Sequence, residues 1–257
     1  MTSQYSKYAK EIALLAKKAG EIIMPYHNNS IDIEQKNDGS PVTEADMAAH
    51  NYIITALNNI SPDIPVVSEE QNQDLNEQIA KQKLYWIIDP IDGTKGFIKG
   101  SDEFTVNIAL IYNNNPIGGV VYLPAQNINY FTDESNRACK QYLDNNIEHI
   151  STRQKPDEGI IVTTSKAHIH VNTEKYIEQI GQNITDVIAA HSSLKFCMVA
   201  EGVADLYPRF SPTMEWDTAA GHAIVNAASG AVITREGEDL KYGKDGLLNG
   251  QFFVKGN

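Results

Sequence analysis

Asp89-Pro90-Ile91-Asp92-Gly93-Thr94 places two carboxylates three residues apart, with a proline between them and a glycine and a hydroxyl just after. Pro90 fixes one φ and Gly93 supplies conformational freedom, so a turn here can aim both acids and a backbone carbonyl at one point. Such a convergence of hard oxygens suits Mg²⁺. Gly93-Thr94-Lys95-Gly96 adds successive backbone N–H groups of the kind that cradle phosphate, without the spacing of a Walker A loop. The chemistry indicated is metal-assisted work on a phosphate.

More acids fall at the ends of expected elements: Asp46, Glu69-Glu70 and Asp217. Element ends are where side chains from distant parts of a chain converge. Each also has a plain structural alternative. Asp46 can answer a helix macrodipole, Glu69-Glu70 can be a solvated pair, Asp217 can be an N-cap, and Asp89 and Asp92 can be turn residues. No Cys or His accompanies these acids, which argues against zinc. Two hard metals about 3.5–4 Å apart stabilise the attacking and leaving oxygens of an in-line displacement and acidify bound water. Asp217 near a helix start would also bring a positive dipole to the same phosphate.

The acids need elements to position them. Leu84-Tyr85-Trp86-Ile87-Ile88 reads as a buried strand that ends at Asp89. Tyr8, Ile12, Leu15, Ala19, Ile22 and Tyr26 line one face of a helix predicted over 3–28. Residues 31–36 alternate as a strand and 37–41 form a turn cluster. Thr43 is the expected N-cap of a helix to about Asn59, with Asp46 at its third position. A short strand at 65–68 leads to Glu69, and 71–83 is polar enough to predict a loop. Strands are expected over 104–112, 117–123 and 127–132, with a turn at Asn113-Asn114-Asn115-Pro116. The polar, irregular 133–158 is the best candidate for a junction, dividing the chain into 1–150 and 151–257. Beyond it, strands at 160–163, 186–190, 203–208, 231–234 and 251–255 alternate with helices at 166–181, 194–202 and 217–229. That alternation suggests an α/β layer.

With 257 residues and 42% hydrophobic content, the chain can form one large domain or two that share a core. A net charge of −12 argues against a nucleic-acid polymer as partner. No apolar run approaches the roughly 18–20 residues of a membrane span, and residues 1–7 do not resemble a signal peptide. Cys139 and Cys197 form no disulfide framework. A cytoplasmic location is expected, with peripheral membrane attachment and oligomeric state left open.

Glu69-Glu70, the Asp89–Thr94 motif and Trp216-Asp217-Thr218-Ala219-Ala220-Gly221 together resemble the inositol monophosphatase superfamily of Mg²⁺-dependent, lithium-sensitive phosphomonoesterases. The resemblance runs over nearly the whole chain. It implies an α/β (α+β) fold, a layered α-β-α-β-α sandwich of the inositol monophosphatase/fructose-1,6-bisphosphatase type. It implies that Glu69, Asp89 and the Ile91 carbonyl hold one Mg²⁺ and that Asp89, Asp92 and Asp217 hold a second. A third, weaker ion would lie near Asp46 and Glu69, with Glu70 a further candidate. Thr94 would orient the attacking water, with Asp46 bonded to its hydroxyl as the other catalytic residue. Glu69, Ile91, Asp92, Gly93, Thr94 and Asp217 would also meet the substrate phosphate.

Ser192-Ser193-Leu194-Lys195-Phe196-Cys197, Ala200-Glu201-Gly202 and Tyr207-Pro208-Arg209-Phe210 resemble the 3′(2′),5′-bisphosphate nucleotidase branch of that superfamily. The branch removes the 3′-phosphate of adenosine 3′,5′-bisphosphate to give AMP. Action on 3′-phosphoadenosine 5′-phosphosulfate, and with it a place in sulfur assimilation, is a further option. Lys195 and Arg209 are the cations expected at a second anion site, Ser192 and Lys195 would meet the nucleotide, and His168 would lie beside it. The 151–257 part would then carry the nucleotide contacts and Asp217, and the 1–150 part most metal ligands. Alternatives stay open: Lys195 snorkelling, Arg209 paired with a surface acid, His168 solvated, His222 as packing or surface, Glu215 on substrate or in water. Two rival functions are an inositol or sugar monophosphatase with the same metal core, and a non-catalytic regulator that binds Mg²⁺ or nucleotide.

Overall fold

The computed structural model describes residues 3–27, 33–35, 41–154, 156–166, 171–181 and 183–257. His168 and most of the 37–41 turn cluster lie outside the described residues. The predicted first helix is split into α1 (Ser3–Ser6), α2 (Ala9–Ile23) and a 3₁₀ turn at Met24–Tyr26. Pro25 sits in that closing turn, where a proline ends regular α-helical bonding. β1 (Ile33–Gln35) pairs antiparallel with β2 (Pro41–Thr43), which leads into α3 (Glu44–Ile60). β3 (Val66–Ser68) is followed by α4 (Gln73–Ala80), where the sequence predicts a loop. Asn72 caps α4 by accepting the Leu75 amide at 3.2 Å. Only Asn76, Ile79 and Ala80 of this helix are buried, too few for an apolar stripe to announce it.

β4 (Leu84–Asp92) and the short α5 (Thr94–Ile98) come next, then β5 (Thr105–Tyr112), β6 (Asn115–Leu123) and β7 (Ile128–Thr132). The expected turn falls at Asn113 and Asn114, both at positive φ. The expected irregular stretch 133–158 contains two more strands, β8 (Ala138–Gln141) and β9 (Ile147–His149). β9 is exposed along its length, so no alternation marks it in the sequence. The remainder is β10 (Ile160–Ser165), α6 (Val171–Gln179), β11 (Ile184–Ala190), α7 (Leu194–Ala200), β12 (Leu206–Arg209), β13 (Thr213–Met214), α8 (Ala219–Ala227), β14 (Ala231–Thr234), β15 (Leu248–Asn249) and β16 (Phe252–Lys255).

Seven strands make one sheet in the order β3-β4-β5-β6-β7-β8-β9, and five make another in the order β11-β10-β12-β16-β14. α2 and α3 cover one face of the larger sheet through Ile12, Ala16, Ile53 and Leu57, which pack with Trp86, Ile88 and Ile108. Between the sheets lies a second core, where Ile87, Ala109 and Val121 meet Phe196, Ile224, Phe252 and Val254. α7 and α8 contribute to it. On the far side of the smaller sheet, Tyr176 and Ile177 of α6 join Ile160, Val162 and Phe253. The layers therefore run α-β-α-β-α. No helix among the described residues is long and apolar enough to cross a membrane.

α8 approaches the larger sheet closely because β6 offers glycine. A Cβ on Gly119 would lie 3.0 Å from Ala220 Cα, 3.1 Å from Ile108 O and 3.2 Å from Ala220 O. All three are backbone atoms, so nothing can swing aside. Gly119→Ala is expected to destabilise the fold by about 1–3 kcal/mol, the usual range for overpacking. Urea unfolding measures this, and unchanged stability would contradict the packing described.

Candidate active site

Two parallel strands deliver the first acids. β3 runs beside β4 with Ser68 opposite Ile88, and the Glu69 amide donates to Ile88 O at 3.3 Å. Glu69 and Asp89 therefore emerge side by side at the strand ends. Asp89 faces Asn107 across the ladder and Asp92 faces Thr105, with Pro90 and Ile91 bulged out between them. The bulge re-aims the second acid. The Ile91 side chain is buried, and its amide donates to Asp89 Oδ1 at 3.0 Å. Gly93 then takes a φ of 95°, and a Cβ there would strike the Ser192 hydroxyl. Ser192, itself at φ 52°, donates that hydroxyl to Asp92 O at 2.8 Å.

The third acid comes from the other half of the chain. Asp217 stands in the turn ahead of α8, and its Oδ2 accepts the Met214 amide at 2.9 Å. Thr218, not Asp217, is the N-cap of α8. Carboxylate oxygens of Glu69, Asp89 and Asp217 all come within 4.8 Å of one another. Asp92 adjoins this group, with Oδ2 accepting from Ser193 Oγ at 3.0 Å, Asn107 Nδ2 at 3.3 Å and Thr105 Oγ1 at 3.4 Å. The single Ser193 hydroxyl proton lies between two acceptors, the Asp92 carboxylate and the Asp217 carbonyl at 2.7 Å. Sequence reasoning assigned no role to Ser193 or Asn107. The available signal is Asn107 itself, a polar residue between the apolar Val106 and Ile108.

Asp46 combines its two readings. Its Oδ2 accepts the Thr43 amide at 2.8 Å and the Thr43 hydroxyl at 2.5 Å, closing a capping box at the start of α3. Its Oδ1 faces the Thr94 hydroxyl at 3.4 Å, which also reaches the Ile91 carbonyl at 3.1 Å. The cap thus holds Asp46 in place while one oxygen stays turned to Thr94. In α5 the first backbone bond is Gly96 N–H to Gly93 O at 2.8 Å, so the amides of Thr94 and Lys95 precede it.

Electrostatics mark the group as a cation site. Asp89 is 1% exposed, and burial followed by the charges of Glu69, Asp92 and Asp217 holds its carboxyl well above the ordinary range. Asp217 is raised by burial and by Asp92 and Glu69, with Arg209 and the Met214 amide pulling the other way. Burial also raises Asp92, opposed by Lys195, Ser193 and Asn107. All donors are oxygens, the set that suits Mg²⁺, so the residues present fit such an ion.

These groups open on a cavity of about 490 Å³, lined by Glu69, Thr94 and Asp217 and also by Ser192, Lys195 and Arg209. Lys195 is only 4% exposed rather than snorkelling outward. Its Nζ donates to Ser192 O at 2.6 Å and lies 5.3 Å from the centre of the Tyr207 ring. Burial pushes its ammonium down to about 8, against the pull of Asp92. Arg209 donates Nε to Ser211 O at 3.1 Å instead of pairing with a surface acid through it. Glu103 braces this wall, accepting the His191 amide at 2.9 Å and Lys166 Nζ at 3.0 Å.

Two residues left open by the sequence are structural. Glu215 is 0% exposed and accepts the amides of Gly243 and Lys244 at 2.8 and 3.0 Å, with Lys244 Nζ at 2.5 Å. It therefore neither faces water nor lines the cleft. His222 is buried, with Nδ1 3.1 Å from the Tyr242 hydroxyl. Burial and the nearby Lys241 and Lys244 push it down to about 3, so it stays neutral.

The inositol monophosphatase family model matches residues 4–254, and the chain belongs to that family. It is 42% identical over 247 residues to the 3′(2′),5′-bisphosphate nucleotidase CysQ of Escherichia coli K12, covering 95% of this chain and 98% of that one. Among solved structures, CysQ from Bacteroides thetaiotaomicron superposes with a TM-score of 0.83 at 37% identity, covering 98% of both chains. An IMPase from Thermotoga maritima gives a TM-score of 0.77 at 26% identity, covering 95% of this chain and 89% of that one. Metal-dependent hydrolysis of a phosphate ester is the chemistry of this family and of this donor set.

The raised carboxyls set a pH dependence. A carboxyl raised in the fold binds its proton more tightly there than in the unfolded chain. Its favourable contribution is full below the ordinary carboxylate range of about 4 and is lost as pH rises through the raised value. In EDTA at about pH 8, Asp89→Asn is therefore expected to melt above the wild type. The gap should close as pH falls toward about 4. Calorimetry reads both, and a lower melting temperature for the variant throughout would contradict the repulsion.

Proposed function

We propose that this chain is a Mg²⁺-dependent nucleotidase that removes the 3′-phosphate of adenosine 3′,5′-bisphosphate, yielding AMP and phosphate. The observation that carries this is the convergence of Glu69, Asp89 and Asp217 within 4.8 Å. They meet at a cavity whose lining also carries Lys95 and Lys99 and, beside Ser192, Lys195 and Arg209. A monophosphate needs only the metal side. A bisphosphate needs a second anion site as well, and these cations provide one. The likeness to the CysQ bisphosphate nucleotidases supports the same substrate class.

Glu69, Asp89 and the Ile91 carbonyl are the residues to hold one Mg²⁺, and Asp89, Asp92 and Asp217 those to hold a second. A third position beside Asp46, Glu69 and Glu70 is weaker. Bound there, the ions supply charge neutralisation of the phosphate and a water acidic enough to attack near neutral pH. The chain does the positioning. Thr94 has one hydroxyl proton, with the Asp46 carboxylate and the Ile91 carbonyl as acceptors. Its lone pairs are left to take a hydrogen bond from the attacking water. Water adds to phosphorus as the bond to the 3′-oxygen breaks; one of its protons stays with the released phosphate and the other ends on the 3′-oxygen as its hydroxyl. The backbone amides ahead of the first α5 bond and the dipole of α8 favour the equatorial oxygens. Ser192 fixes Gly93 beside Asp92, and Lys195 lends positive potential to the nucleotide side. His168, outside the described residues, is assigned to the nucleotide on the sequence resemblance alone. The two cysteines are free and buried, in keeping with a cytoplasmic enzyme.

Thr94→Ala is expected to lower kcat on the order of 100-fold with little change in KM. A rise in KM alone would remove Thr94 from the chemistry. Arg209→Ala and Lys195→Met are expected to raise KM for the bisphosphate about tenfold or more, with a smaller effect on a simple phosphate ester. Initial rates of phosphate release on adenosine 3′,5′-bisphosphate, inositol 1-phosphate and fructose 1,6-bisphosphate, with and without lithium, test the function. The expected result is a lithium-sensitive preference for the nucleotide. Preference for inositol 1-phosphate would discard the nucleotide reading.

A further inference from the structure

A second group of metal-ligating side chains lies away from the carboxylates. Cys139 on β8 and His149 on β9 are directly opposed across the ladder. Cys139 Sγ lies 3.3 Å from His149 Nδ1. Asp133, at the turn between β7 and β8, joins them, so that one ligating atom from each of the three falls within 4.8 Å of the others. β8 stands four strands from β4 in the sheet, roughly 19 Å at ordinary inter-strand spacing. A cavity of about 460 Å³ opens on the group, walled on its other side by Ala13, Leu14 and Lys17 of α2.

The donor set differs in kind from the catalytic one. A thiol, an imidazole and a single carboxylate suit zinc rather than magnesium. Bond lengths of 2.0–2.3 Å in a tetrahedral zinc site put neighbouring ligand atoms about 3.3–3.8 Å apart. The sulfur–nitrogen distance already meets that spacing, and the carboxylate needs to close by at most about 1.5 Å to match it. Both oxygens of Asp133 are held by neighbouring groups. Its Oδ1 accepts the amides of Ser135 and Arg137 at 2.8 Å each, and its Oδ2 accepts Arg137 Nε at 2.9 Å and the outer guanidinium nitrogen at 2.8 Å. Ligating carboxylates are commonly held by such outer hydrogen bonds. His149 is exposed and the cavity adjoins the group, which leaves a way in and room for a water as fourth ligand.

We propose that Asp133, Cys139 and His149 form a second metal site for a thiophilic divalent ion such as Zn²⁺. The ion would clip together the β7–β8 turn, β8 and β9 at the edge of the larger sheet. Binding converts the Cys139 thiol to a thiolate and releases its proton to solvent. The site is independent of the catalytic reading, and a simple S–H···N hydrogen bond between Cys139 and His149 is the alternative.

Cobalt distinguishes the two. The full chain is first saturated with Mg²⁺ and then titrated with Co²⁺, while the near-ultraviolet thiolate-to-cobalt charge-transfer band is followed. The oxygen cage cannot produce that band. The expected result is a band that saturates at one equivalent and is abolished by Zn²⁺. Cys139→Ser should lose it, Cys197→Ser should keep it, and His149→Ala should bind cobalt at least about tenfold more weakly. His149 is exposed, so its variant reports on binding even if Cys139→Ser folds poorly. No band in the wild type, or undiminished affinity in His149→Ala, would overturn the site.

Discussion

Mutual repulsion among Glu69, Asp89, Asp92 and Asp217 is the constraint on which the rest of this structure depends. Burial and neighbouring charge raise three of these carboxyls above their ordinary range. A fold gains nothing by gathering acids in this way unless a cation repays the repulsion. The oxygen-only donor set defines that cation as a hard one. The same electrostatics that make the metal-free site unfavourable make it attract Mg²⁺, and through Mg²⁺ a phosphate. An overall charge of −12 is therefore compatible with an anionic substrate, because the bound ions set the local sign.

The architecture serves to hold those acids together. Parallel pairing of β3 with β4 brings Glu69 next to Asp89, and the bulge after Asp89 turns Asp92 back toward the ladder. Asp217 arrives from beyond the larger sheet because α8 packs down on β6 at Gly119. Ser193 links the two contributions, touching both the Asp92 carboxylate and the Asp217 carbonyl. Asn107 joins Asp92 to Ser193 from the floor of the sheet. These neutral donors restrain the acids without cancelling the charge that a bound cation requires.

What was legible in the sequence was local. The apolar strand before Asp89 and the Thr43–Asp46 cap depend on residues close together, and each acid is marked by a short motif around it. α4 was missed because its polar sequence buries few residues, and its main signal was the Asn72 cap. β9 is not legible because an exposed edge strand need not alternate, and β8 is not because its four residues bury a consecutive pair, Ala138 and Cys139, rather than every second one. Ser193 and Asn107 were missed because their bond joins residues 86 apart in the chain. Lys195 was legible as a cation, but its burial beneath the cleft was not. Glu215 lies two residues from Asp217, and the sequence does not decide its role, because only the fold shows it turned away toward Gly243 and Lys244.

The most direct measurement is proton release when Mg²⁺ is titrated into metal-free protein, by calorimetry in buffers of different ionisation enthalpy, at a series of pH values rising from the ordinary carboxylate range of about 4. Carboxyls raised by burial and by their mutual repulsion keep protons above the ordinary carboxylate range, and the metal must displace them. The account predicts heats that vary with the buffer in the sense of net proton release, with a smaller release in Asp89→Asn. Heats independent of the buffer at every pH above that range would show that these carboxyls titrate as ordinary ones, and would contradict the central role given to their burial and repulsion.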